Sequence, residues 1–246
     1  MHAMSSTRPA VGSVSPPFAS TPALPDAPFE NRPLTRSEQR RGDLYTFHSP
    51  KLGRSAEVIH RGRLAMALEL EFDPGVLVWV ERPRLLAVKD AEIELCFWWR
   101  HVSGREGFHL FVDAATTTTD ARRRIRQHRQ SRDLIEAANV AGLSLEFVFE
   151  AALLERKNML TTWFRLLPYV QTAATLPHLA ALERLVGEAF SMQERMSFLQ
   201  LEQNLVTHAP ADVRAVACRL IHRGALQLDV SQPLSRLSVL SREIAP

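Results

Sequence analysis

The stretch from Leu68 to Pro83, LELEFDPGVLVWVERP, constrains the fold more than any other part of the chain. Residues 57–72, EVIHRGRLAMALELEF, carry Ile59, Leu64, Leu68 and Phe72 at helical spacing, which predicts one helix over that range. Asp73-Pro74-Gly75 stops it, because proline cannot continue the hydrogen-bond ladder and glycine permits the reversal. The apolar run VLVWV (76–80) then predicts a strand. A helix that turns at once into a strand places a sheet against a helical layer.

The following residues keep the strand rhythm. RLLAV (84–88), IELCFWW (93–99) and FHLFVD (108–113) predict three more strands, with a turn at 103–107, and together they form a β-meander. ARRRIRQHRQSRD (121–133) carries six arginines. LIEAANVA (134–141) reads as a helix closed by Gly142, LSLEFVF (143–149) as a strand, and residues from 151 to 170 as helix. This succession implies an α/β core with a mixed sheet. Trp98 and Trp99 fall on opposite faces of one strand and read as core.

From residue 176 the rhythm changes. LPHLAALERLVGEAF is an amphipathic helix, and Ser191-Met192-Gln193-Glu194 has the form of a capping box that opens a second. APADVRAVACRLIHRG (209–224) makes a third helix, ended by Gly224, and ALQLDV (225–230) a short strand. Three helices and a β-ribbon describe a winged helix-turn-helix. At the other end, seven prolines fall within the first 33 residues. Such a stretch cannot bury enough apolar surface to offset its ordering, so residues 1–45 are expected to be disordered. The expected domains are therefore 1–45, 46–170 and 171–246.

Composition bears on partners. Only Lys51, Lys89 and Lys157 are lysines among 30 basic residues, so arginine dominates. Arginine forks onto phosphates and keeps its charge, which suits a polyanionic partner, although a GC-rich genome would produce the same bias. Cys96 and Cys218 are too few for a disulfide framework or a zinc site, and Cys218 reads as a small core residue. No apolar run approaches the ~18 residues of a membrane span and no signal core is evident, so a cytoplasmic protein without a membrane partner is expected.

Several phrases in order resemble one family. Phe47, Ser49, Lys51, Gly53 and Arg54 follow a phrase like F-S-x-K-x-G-R, with His48 as one residue more. Leu70 to Pro74 with Val76 match L-E-F-D-P-x-V, and Glu81 and Pro83 match E-Q-P with one change. EAANVAGLSLEFVFEAALLERKNML matches a further helix, glycine, strand and helix segment. Together they resemble TnsA-type endonucleases, which cut at the ends of transposons that use a separate DDE transposase. The resemblance covers about residues 46–170. It implies a restriction-endonuclease-like mixed sheet flanked by helices, followed by a small winged-helix domain.

That fold class would use carboxylates to hold Mg²⁺ and a lysine beside the scissile phosphate. The resemblance places the helix glutamate ten residues before Asp73, where this chain has Arg63. The family's Pro-Asp pair is missing from 93–99, and its Glu-x-Lys from 109–114. Glu94 and Asp113 are what remain as catalytic or metal-binding candidates, with Arg63 placed to grip a phosphate without cutting. Asp73 and Pro74 read as a helix stop. For DNA contact, the arginine-rich run offers Arg122, Arg123, Arg124, Arg126, Arg129 and Arg132. The third helix of the winged unit offers Arg214, Arg219 and Arg223, with His222, off its apolar stripe. The expectation is a DNA-binding accessory subunit of a transposition or recombination machinery with impaired catalysis. It would bind double-stranded DNA and work with a transposase or recombinase and an ATPase regulator. An active Mg²⁺-dependent endonuclease and a DNA-binding transcriptional regulator are the alternatives.

Overall fold

A computed structural model describes residues 27–120, 125–230 and 232–242. The protein is a mixed α/β structure. Its first hairpin pairs β1 (Leu44–Ser49) with β2 (Arg54–Ile59), and Gly53 at φ 62° makes the turn. Helix α2 (Arg61–Phe72) follows, while α1 (Arg36–Arg41) precedes the hairpin. The helix expected from residue 57 thus starts later. Ala56 and Val58 alternate into the core with partners on β1, so period-two burial takes Glu57 to Ile59 into a strand.

The corner at the end of α2 forms as expected. Asp73 Oδ1 accepts from the Gly75 amide at 2.8 Å. Lys51 Nζ donates to the carbonyls of Leu70 at 2.7 Å and Asp73 at 2.5 Å. A cation thereby meets the negative end of the helix dipole and its unsatisfied carbonyls.

The chain then makes β3 (Val76–Glu81), β4 (Leu85–Val88), β5 (Ala91–Glu94), β6 (Phe97–His101) and β7 (Glu106–Val112). The expected single strand over 93–99 is two strands. At Leu95 and Cys96 the backbone changes partners: Leu95 N–H donates to Arg84, then Cys96 N–H to His109. β5 pairs with β4 in a side hairpin, whereas β6 pairs with β3 and β7 in the main sheet. That sheet has the order β10-β7-β6-β3, with β10 (Leu145–Phe149) parallel to β7 and the other pairs antiparallel. Trp98 and Trp99 are both buried, on opposite faces of the sheet.

Between β7 and β10 run a hairpin of β8 (Thr117–Asp120) and β9 (Ile125–His128) and helix α3 (Ser131–Val140). Gly142 takes φ 67° just past α3, as a helix-ending glycine does. The expected long helix beyond β10 is divided into α4 (Glu150–Glu155) and α5 (Lys157–Ala173). Arg156 leaves helical geometry between them, and its guanidinium pairs with Glu69 on α2. Residues 1–26 of the expected tail lie outside the described residues. From residue 27 the chain lies on the sheet, where Phe29 packs edge-on against Trp98 and Phe108.

The last third contains α6 (Leu179–Met192), β11 (Arg195–Ser197), α7 (Phe198–Asn204), α8 (Pro210–His222), β12 (Leu226–Leu228) and β13 (Val239–Arg242). The three strands form an antiparallel sheet in the order β11-β13-β12. The expected capping box at Ser191 is displaced. Ser191 lies inside α6 and its hydroxyl donates to the Gly187 carbonyl. The box belongs to Ser197 and Gln200, which cap α7 reciprocally. The shift follows burial: Met196 must reach the core opposite Leu240, and a strand at 195–197 puts it there.

One apolar core joins the two halves. Leu166, Leu167 and Val170 of α5 pack with Leu182 and Val186 of α6 and with Val213, Val216 and Leu220 of α8. Leu68 and Phe72 of α2 belong to the same cluster. The boundary expected near residue 170 therefore falls inside α5, within a shared interior.

Candidate functional site

Arg63, the end of β5 and Asp113 line one cleft of about 560 Å³. Arg63 comes from the first turn of α2, Glu94 from the last residue of β5 and Asp113 from the residue after β7. His60, Cys96, His128 and Glu150 also line the cleft. The pairing of β7 with β10 sets Val112 opposite Phe149, so Asp113 and Glu150 leave the ends of neighbouring parallel strands together. The break between β5 and β6, unforeseen in the sequence, aims Glu94 into the cleft.

Glu94 is not a free carboxylate. Arg63 Nη1 meets its Oε1 at 2.5 Å, and Arg32 Nη2 pairs with Oε2. Arg32 comes from the segment ahead of α1: its N–H donates to the Arg82 carbonyl, and its carbonyl accepts from the Arg82 Nε–H in return. Arg82 is buried beside them, and that burial, reinforced by the charges of Arg32 and Arg63, depresses its pKa. Each of the three guanidiniums keeps one buried nitrogen without a hydrogen-bond partner among the described residues: Arg32 Nε, Arg63 Nε and Arg82 Nη2. Arg32 has no signature in a proline-rich segment and was not singled out in the sequence.

Asp113 is engaged in a turn. Its Oδ1 accepts from the hydroxyl and the amide of Thr116, both at 2.8 Å. The Thr116 hydroxyl, then its amide, hold the carboxyl below the usual carboxylate range. Glu150 accepts from the Ala114 amide. The described residues contain no group of three or more His, Cys, Asp or Glu side chains placed to hold one metal ion. Mg²⁺ would need unspent acid oxygens, yet both oxygens of Glu94 face guanidinium groups. A cation there would meet Arg32 and Arg63 at close range. The residues present do not fit the metal that the resemblance implies.

The motif residues upstream do structural work. Glu71 is fully buried and accepts four hydrogen bonds: from Ser49 Oγ at 2.5 Å, the Lys51 amide at 3.1 Å, Trp79 Nε1 at 3.1 Å and His222 Nε2 at 2.7 Å. Burial pushes its pKa up, but His222, Lys51 and Ser49 together hold it below the ordinary value. Glu81 is likewise buried and forked by Arg54 at 2.7 and 2.8 Å. Burial pushes the Lys51 amine down to about 8, against the pull of Glu71 and Asp73.

The proposed DNA-contacting arginines separate into three sets. Arg122, Arg123 and Arg124 lie outside the described residues. Arg126, Arg129 and Arg132 are exposed along β9 and the head of α3, beside His128 on the cleft wall. The third set faces inward. Arg214 Nε meets Glu202 at 2.9 Å, Arg219 Nε meets Glu183 at 2.9 Å, and Arg223 lies 3.5 Å from Glu183. His222 is buried on Glu71. Helical periodicity finds the apolar stripe of α8 but not the acidic partners that neighbouring helices bring to its polar side.

No family model matches the chain, and no curated protein is significantly similar to it.

Proposed function

We propose that the protein binds double-stranded DNA without cutting it, as a TnsA-like accessory subunit of a transposition or recombination machinery. The observation that carries the reading is the pairing of both Glu94 oxygens with Arg63 and Arg32, which substitutes fixed cations for a metal beside the cleft. Two partly exposed guanidiniums, Arg63 and Arg32, on the single carboxylate Glu94 leave a net positive charge there, which favours an oxyanion such as a backbone phosphate. The layout agrees with a restriction-endonuclease-like frame: a helix ahead of a mixed sheet, with the cleft at the edge where β5 and β7 end. The order α6, β11, α7, α8, β12, β13 agrees with a winged helix. Its arginines are spent on internal carboxylates, so in this reading the backbone contacts come from the β8–β9 hairpin and the head of α3. A transposase and an ATPase are the partners that the resemblance suggests.

The test combines binding and cleavage. Gel-shift binding of duplex DNA should survive EDTA and should weaken as salt rises. Arg126→Ala, Arg129→Ala and Arg132→Ala together should lower the slope of log K against log salt by about 2.7, at ~0.9 per lost phosphate contact. Supercoiled DNA should stay intact in Mg²⁺. Loss of binding in EDTA, or Mg²⁺-dependent nicking that disappears in Asp113→Ala, would replace this reading with that of a metal-dependent endonuclease.

A further inference from the structure

A second cavity, of about 280 Å³, lies among α5, α7, α8 and the loop before β13, away from the Glu94 cleft. At ~30 Å³ per water it holds about nine waters, the size of a small metabolite. Its floor is carbon: Leu166 and Phe198 are buried, and so is Cys218. Burial pushes the Cys218 thiol up to about 12, so it stays neutral and adds no negative charge. Its walls are cationic, with Arg165 and Tyr169 from α5, Arg214 from α8 and Arg236 from the loop.

One buried carboxylate, Glu202 on α7, organises these walls. Its Oε1 accepts from Arg214 Nε at 2.9 Å and Nη2 at 2.5 Å, and its Oε2 accepts from Arg236 Nη2 at 2.5 Å. Arg214 Nη1 reaches the Tyr169 hydroxyl at only 3.5 Å. Arg165 contributes a third cation, and Nη1 of its fork donates to the Leu234 carbonyl at 3.3 Å. Two guanidiniums thus share one carboxylate, and a third lies beside them, around an apolar floor. A purely structural network needs no such excess of positive charge. Two guanidiniums braced on a buried acid are pre-organised, so a ligand meets little further ordering cost.

We infer that this cavity is a binding site for a small organic anion, one with a carboxylate or phosphate head on an apolar body. The head lies among Arg165, Arg214, Arg236 and the Tyr169 hydroxyl, and the body rests on Leu166 and Phe198. The site is separate from the proposed DNA surface and does not depend on that reading.

Calorimetric titration of the full chain with phenyl phosphate, benzoate, inorganic phosphate and benzyl alcohol tests it. Phenyl phosphate or benzoate should bind saturably at one site, at least about tenfold more tightly than inorganic phosphate or the uncharged alcohol. Arg165→Ala and Arg236→Ala, both at exposed positions, should each weaken binding by about tenfold or more. The urea midpoint of Arg165→Ala, measured alongside, should stay near that of the unaltered chain. Arg236→Ala takes one donor from buried Glu202 and leaves Arg214 on it, so its midpoint should fall while the protein stays folded without urea. DNA affinity measured in parallel should not change. Absence of saturable binding below roughly 10 mM, inorganic phosphate binding as well as its phenyl ester, or binding indifferent to both substitutions would each overturn the assignment.

Discussion

His222→Ala should destabilise the protein by about 3 kcal/mol, and the loss should depend on the charge of Glu71. His222 Nε2 donates to Glu71 at 2.7 Å, and the glutamate has no exposed surface. Removing one partner of a buried pair costs ~3–5 kcal/mol, because the remaining charge keeps its desolvation penalty. Ser49, the Lys51 amide and Trp79 still donate to Glu71, which sets the expectation at the low end of that range. The His222 ring also meets Phe72 edge-on at 5.2 Å, a contact worth ~1 kcal/mol that alanine loses in any background. In a Glu71→Gln background no buried carboxylate is left without its partner, so His222→Ala should cost only about that 1 kcal/mol. The coupling is then about 2 kcal/mol, well above what independent sites show. Urea unfolding followed by tryptophan fluorescence measures all four corners of the cycle. Acid provides a second check. Glu71 is held below its ordinary value of 4.5, so its stabilisation is complete above that pH and is lost as pH falls further. The stability difference between the unaltered chain and Glu71→Gln should therefore shrink below about pH 4.5. Equal costs of His222→Ala in both backgrounds would refute the reasoning.

Two more expectations concern the other motif residues. Arg54→Ala should cost about 3 kcal/mol in urea unfolding, since it strands the buried Glu81. Arg54→Lys should recover less than half of that, because an ammonium cannot reproduce the two-pronged contact, and full recovery would show that charge alone matters. For Lys51, the folded pKa of about 8 lies below the ordinary 10.5, so the unfolded chain binds the extra proton between those values. Stability should therefore rise from pH 8 to 10.5 in urea midpoints, and Lys51→Met should lack that rise.

The sequence conveyed local signals well and distant ones poorly. The stop at Asp73-Pro74-Gly75, the strand after it and the glycine end of α3 were legible, because chain neighbours alone decide them. Arg63, Glu94 and Asp113 were expected to converge, and they line one cleft. Their chemistry was not legible, because Arg32 reaches Glu94 from 62 residues away out of a segment with no periodic pattern. The strand break at Leu95 and Cys96 was hidden for a similar reason: residues 95–99 are continuously apolar, and only the exchange of pairing partners marks where the strand ends. The arginines of α8 sit on its polar side as the pattern suggests, yet Glu183 and Glu202 on two other helices decide which way they face. Ser191 and Ser197 both begin plausible capping boxes, and the core's demand for Met196 selects the second.

The Glu71 contact spans 151 residues and has a consequence for synthesis. At ~5–20 residues per second, a ribosome needs about 8–30 s after adding Glu71 before His222 is made. Within that interval α2 and the first sheet can form, and α5 can cover part of Leu68 and Phe72, with Trp163 stacking on Phe72, but the glutamate stands short of a partner. Until α8 arrives, the end of α2 and the inner face of α5 still present the apolar surface that α8 covers, and a chaperone that shields it would raise the yield of native protein.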